Sequence, residues 1–336
     1  MNGSTSLPDK FLRTLVDDLA GKQTVAIILA GSHAQGEATP YSDVDLAHLV
    51  AAPLSGPDKR YYYRDGHLVS VATRPLAWFR AAVTRPEQAV FYVAGLREAR
   101  ILLDTEGAFR AFQQELERFS WTPLQEAANA YASSAMMHLA EVAHKVLSAL
   151  VRRDRLSLLE ATSGLWYALT QAVAVQRGVL AVSSHTHIRQ VREAVGTDAP
   201  WTRYHGVVAA SDVHAARATS VEARAIAALC LYQETAALLR PVIRPEHREV
   251  AEQTVLTIEV ALRQLRSTGG RLSRSRQQGV HSIHPVVGRA PMWWHRVREV
   301  EEDRGRVSST GRRCDEGAWP RLRALLRLPG RRRIAR

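Results

Sequence analysis

Hydrophobic positions change their period several times in the first 120 residues. Phe11, Leu12, Leu15, Val16 and Leu19 fall at helical spacing, which predicts a helix over 8–20 closed by Gly21. Thr24–Ala30 (TVAIILA) is almost wholly apolar and reads as a short strand covered on both faces. Residues 31–38 then form a turn and a short helix, and Val44–Val50 is the next strand. The segments 59–63 and 68–73 flank Asp65-Gly66, a hairpin turn. Helices are predicted over 75–83 and 86–96, each opened by proline. A strand at 99–104 and a helix at 107–118 follow. Mixed strands and helices predict an α+β domain over 1–119.

Beyond Leu124 only the helical period remains. Tyr131, Ala135, Leu139, Val142, Val146 and Ala149 make one stripe. Leu159, Trp166, Leu169 and Val173 make a second, closed by Gly178. Shorter stripes cover 188–195, 225–239 and 255–265. A bundle of about five helices is expected over 120–266. From 267 to 336 periodicity is lost apart from a short segment at 319–328, and Gly, Ser, Arg and Pro dominate. That segment reads as a disordered basic tail.

Charge sharpens this division. The chain carries 45 basic and 33 acidic residues, and 18 arginines and six acidic residues lie beyond Leu265. The remaining 27 of each sign balance, so the overall charge of +12 belongs to the tail and says nothing about the partners of the folded part. Apolar residues make up 46% of the chain, enough for an ordinary core. Two cysteines, Cys230 and Cys314, give neither a disulfide framework nor a metal site. No signal peptide and no membrane-spanning run is expected, and a cytoplasmic location fits.

One stretch carries chemistry. An apolar strand ends at Ala30, and Gly31 lets the backbone turn sharply and approach a ligand. Ser32 opens a helix, where free N–H groups and a hydroxyl favour phosphate. Asp43 and Asp45 stand two residues apart on the next strand, so both point to one face. Two carboxylates that close repel and call for a cation. Hard oxygen ligands suit magnesium, which completes its shell with water and substrate phosphates. Such a site fits a nucleoside triphosphate and in-line attack on its α-phosphorus.

The run from Gly31-Ser32 to Asp43-Val44-Asp45 resembles the signature of the polymerase-beta-like nucleotidyltransferase superfamily. The helical segment behind it resembles that of small bacterial and aminoglycoside-type nucleotidyltransferases. The resemblance implies that Gly31 and Ser32 hold the β- and γ-phosphates and that Asp43 and Asp45 hold the metal ions. It implies Mg2+ and, by default, ATP as donor. It also implies a third carboxylate on a later strand, often the general base. Here that strand reads Leu-Val-Ser-Val-Ala, and the position holds Ser70. The site then works with two carboxylates alone, takes its base from the helical segment or a second subunit, or binds nucleotide without turnover.

Other residues carry less. Lys145, one of four lysines, lies on the first long helix, where the resemblance implies a basic residue against the triphosphate; a pair with Glu141 one turn earlier is the simpler expectation. Asp65 fits turn chemistry, and Asp104 and Glu106 fit a helix cap. His185 and His187 lack the neighbours a metal site needs. Tyr61, Tyr62 and Tyr63 suit a half-buried strand, or base stacking. Trp166 and the cluster at 201–205 suit core packing. The tail's tryptophans are not interleaved with its arginines, so it gives nucleic acid only a nonspecific electrostatic partner.

The expected protein is therefore an α+β nucleotidyltransferase domain, an all-α helical bundle and a disordered basic tail. Its expected activity is magnesium-dependent transfer of AMP from ATP to a hydroxyl of a small-molecule or protein acceptor. The alternative is a non-catalytic nucleotide-binding protein of the toxin–antitoxin regulatory kind.

Overall fold

A five-stranded mixed sheet stands at the centre of the N-terminal part, in the order β3-β4-β2-β1-β5. The computed structural model describes residues 7–52, 58–209 and 220–267. The basic tail and Cys314 lie outside the described residues. The strands are β1 (Thr24–Ala30), β2 (Val44–Val50), β3 (Lys59–Arg64), β4 (His67–Pro75) and β5 (Arg100–Asp104). β1 pairs antiparallel with β2 and β5, β2 runs parallel to β4, and β3 closes one edge antiparallel to β4. At the β3–β4 hairpin both Asp65 (φ 48°) and Gly66 (φ 80°) are left-handed, the conformation that a two-residue type I′ turn requires.

The apolar run of β1 is explained by its two faces. Ile27 and Leu29 join Phe11, Leu12, Leu15 and Leu19 of α1 (Asp9–Leu19), with Leu46, Val69 and Val71 beside them. Ala26 and Ile28 point the other way. They join Ala47, Leu49 and the helices α3 (Leu76–Ala82), α4 (Pro86–Arg97) and α5 (Ala108–Glu117), through Phe79, Val93, Phe109 and Phe112. Each face thus buries alternate residues, and a one-residue slip would exchange the two cores. Between β1 and β2 lies a five-residue helix, α2 (Gly31–Gln35). Asp104 accepts hydrogen bonds from the amides of Phe109 and Arg110 (3.3 and 2.9 Å), the capping role its sequence context implied.

Six α-helices follow among the described residues: α6 (Gln125–Arg152), α7 (Arg155–Arg177), α8 (Ser184–Val195), α9 (Pro200–Ala209), α10 (Val221–Leu239) and α11 (Pro245–Ser267). The expected five become six because 200–209 is helical. Trp201, His205 and Val208 do keep helical spacing, but the surrounding aromatic, β-branched and glycine residues have weak helix propensity. Burial of that stripe decides the matter. His205 is fully buried, stacks on Trp201 at 4.7 Å and meets Thr170 Oγ1 at 3.1 Å. Removal from water drives its pKa down to about 3, so it is a neutral core histidine. His187 is likewise buried, against Phe91, and not a ligand among the described groups.

The described residues up to Leu262 form one compact unit. α4 packs against α6 and α7 through Val90, Ala128 and Val175, with Trp121 and Tyr131 at the margin. The amide of Ala181, after α7, donates to the carbonyl of Val90 at 2.7 Å. No described helix is long and apolar enough to cross a membrane.

Gly178 ends α7 with φ 64°, and a β-carbon there would lie 2.5 Å from Cγ of Trp121. Gly178→Ala should therefore lose on the order of 2–4 kcal/mol, the sum of left-handed strain and overpacking. Gly164, inside the same helix, has open space around its α-carbon. Gly164→Ala should gain roughly 0.5–1 kcal/mol. Urea unfolding of both variants checks the pair of opposite signs.

Candidate functional site

The site is built by the turn between β1 and β2. Ala30 leaves β1 in extended conformation, and Gly31 adopts φ 65° as the chain bends into α2. Gly36 (φ 73°) closes that short helix, its amide bonding back to the carbonyl of Ser32. Ser42 then accepts from the amide of Thr39 at 2.9 Å, fixing the turn into β2. Ala30 and Asp45 stand opposite each other across the β1–β2 ladder. The result is a very close approach: a β-carbon on Gly31 would lie 2.8 Å from Oδ2 of Asp45. Only glycine fits both the backbone angle and the space. Ser32 follows in the first turn of α2.

Asp45 lies on the sheet face of Ala26, Ile28, Ala47 and Leu49, at the end where that core gives way to solvent. It is half-buried, as is Asp43. Parallel pairing of β2 with β4 sets Asp45 beside Ser70, which is 1% exposed and hydrogen-bonds to the Asp45 side chain. Burial, then the neighbouring Asp43 charge, push the Asp45 carboxyl above the ordinary range. The Ser70 hydroxyl and the charges of Lys59 and His33 pull the other way without reversing the shift. An ionised Asp45 is thus held in a place that disfavours its charge, the condition a bound cation relieves.

The turn is also anchored to the helical part. Gln35 donates to Glu98 Oε2 at 2.9 Å and to the carbonyl of Val182, before α8, at 3.0 Å. His33 turns towards His67, which packs on Phe11 of α1 at 5.2 Å. Its Nε2 is buried with no hydrogen-bond partner among the described residues.

Of the five residues expected from sequence, four lie on one turn and the strand it feeds: Gly31 is closely approached by Asp45, Ser32 follows in α2, and Asp43 lies just before β2. The fifth, Lys145, is on α6 and pairs with Glu141 at 2.9 Å, both side chains more than half exposed. Among the described residues no group of three acidic, histidine or cysteine side chains gathers as a metal cage. Ser70, at the position where the resemblance implied an acid, is instead a hydrogen-bond donor to one of the two carboxylates. Two further neighbours of Asp45, His33 and Lys59, carry no sequence signal of their own. They become visible only when pairing register and turn geometry are known.

A carboxylate with a raised folded pKa favours the folded state below its unfolded pKa and loses that contribution as pH rises through the folded value. At neutral pH an ionised Asp45 therefore destabilises the metal-free protein. Asp45→Asn should raise the metal-free Tm at pH 7 and lower its dependence on pH between 4 and 7. Added magnesium should raise the wild-type Tm and leave that of Asp45→Asn unchanged. Calorimetric melts with and without magnesium check both signs.

A family match falls on the same part of the chain. Residues 10–82 match the family described as the nucleotidyltransferase domain. That span runs from α1 to α3 and contains the turn and both aspartates. No curated protein matches the chain. Among solved structures, a nucleotidyltransferase-like protein from Exiguobacterium sibiricum is similar at 16% identity and TM-score 0.39, over 81% of this chain and 96% of its own. The N-terminal segment of this chain, residues 10–82, is a nucleotidyltransferase domain of the polymerase-beta-like superfamily.

Proposed function

We propose that the chain is a magnesium-dependent nucleotidyltransferase that moves AMP from ATP to an acceptor hydroxyl. The observation that carries this reading is the approach of the Asp45 carboxylate to Gly31 beside a second carboxylate, Asp43. A polyphosphate laid along the Gly31-Ser32 turn would meet its backbone beside the Asp45 carboxylate, where a cation would offset the two negative charges. The Ser32 hydroxyl would donate to one of its oxygens.

The residues fit a magnesium ion. Asp43 and Asp45 would supply hard oxygen donors close enough to feel each other's charge, and the Asp45 charge is disfavoured until a cation offsets it. Bound there, magnesium would stabilise charge on the α-phosphoryl oxygens and on the departing pyrophosphate. Ser70 would keep the Asp45 carboxylate in one orientation. The acceptor hydroxyl attacks the α-phosphorus and releases its proton to solvent, an oxygen–phosphorus bond forms, and the bond to pyrophosphate breaks in line. Lys145 would contribute only by giving up Glu141 for a phosphate.

The test is transfer of label from α-labelled ATP to candidate acceptors in the presence of magnesium. Asp43→Ala and Asp45→Ala should each lower the rate on the order of 100-fold or more, several kcal/mol of barrier. Equal labelling by variants and wild type would end this reading. Ser70, a group that accepts no proton at neutral pH, favours a second one: a domain that binds nucleotide without turning it over. Saturable ATP binding with no pyrophosphate released across the acceptor panel would select it.

A further inference from the structure

The edge strand β3 presents two different faces. Tyr62 packs against the α1 core, and Arg64 pairs with Asp18 of α1 at 2.6 Å. Strand alternation sends Lys59, Tyr61 and Tyr63 to the opposite face, and all three are exposed. That opposite face is the one that carries Asp45. The register makes the link explicit: Tyr61 pairs with Ser70 on β4, and Ser70 pairs with Asp45 on β2. Two strand spacings put the Tyr61 backbone about 10 Å from that of Asp45. Lys59 folds back along its own strand towards this row, its Nζ lying 4.9 Å from the centroid of the Tyr61 ring. No carboxylate lies within ion-pair distance of Lys59 among the described residues. Its charge is nevertheless felt at Asp45.

Position relative to the turn assigns a side. Gly31 lies on the β1 side of Asp45, whereas Ser70, Tyr61 and Lys59 lie on the β4–β3 side. Resting on the transfer reaction above, in-line displacement sends pyrophosphate towards Gly31-Ser32. The attacking hydroxyl then comes from the opposite side, across Ser70. A cation poised over an aromatic ring there suits an anion with an apolar or sugar-like body against the ring. We propose that Lys59 and Tyr61 form the acceptor's anion subsite, so that the acceptor is a hydroxyl compound bearing a phosphate or carboxylate group. A polycationic acceptor would be repelled by Lys59 at this wall.

The chain has only four lysines, Lys10, Lys22, Lys59 and Lys145, so each is a separate reporter. The experiment measures acylation rates of the four amines, peptide by peptide, on the full chain with magnesium and α,β-methylene-ATP, a donor that cannot transfer. Inorganic phosphate is then added as the anion probe. At a concentration twice its Kd, phosphate should slow acylation of Lys59 about threefold and leave Lys10 and Lys22 unchanged. Tyr61→Ala should reduce that protection. If the nucleotide analogue alone protects Lys59 and phosphate adds nothing, the anion is the donor's own phosphate and the acceptor assignment is overturned. If neither protects Lys59, there is no anion subsite. Calorimetry of the same analogue separates the two readings: bound analogue with Lys59 unprotected overturns only the subsite, and no binding overturns the transferase reading with it.

Discussion

The structure turns on a crowding of backbone and charge: the Asp45 carboxylate lies where a side chain on residue 31 would have to be. Gly31 must be glycine twice over, for its left-handed φ and for the absent β-carbon. Asp45 is also beside Asp43 and partly out of water, so its ionised form is raised in energy. Those three facts make a place where an ionised carboxylate is costly, which supports the proposed divalent cation and polyphosphate there.

That core explains how the place is kept. The sheet has one face against α1 and one against α3, α4 and α5, and β1 and β2 supply alternate residues to both. Val44 and Leu46 are buried on the α1 side, so Asp45 between them faces away from that side, while Asp43 lies just before the strand. Asp45 is thus oriented by hydrophobic burial of its neighbours. Gln35 adds a polar tie from the same turn to Glu98 after α4 and to Val182, which joins the turn to the connection between α7 and α8.

Much of this was legible in the sequence, for identifiable reasons. The ends of β1 and β2 are legible because Gly31 follows the apolar run of β1 and Asp43 precedes β2. The Gly-Ser turn and the Asp-x-Asp pair sit within 15 residues, so local periodicity sufficed to bring them together. α9 was hidden because aromatic and histidine residues at 201, 204 and 205 obscure a period that burial makes plain. The neighbours Ser70, Lys59 and His33 depend on which strand pairs with which, and in what register. Parallel pairing of β2 with β4, over an intervening edge strand, is a long-range choice that no local pattern announces.

Ser70 gives the site its individual character. Where a third acid would raise the negative charge further, a buried hydroxyl instead donates to Asp45 and steadies it. Asp45 thus joins the packing of the sheet to the proposed chemistry. Calorimetric titration of ATP into the full chain, with magnesium present, tests this most directly when wild type and Asp45→Asn are compared. Saturable one-to-one binding by the wild type, lost in the variant and lost when magnesium is withheld, is the predicted result. Binding of equal strength by both proteins, or binding indifferent to magnesium, would contradict it.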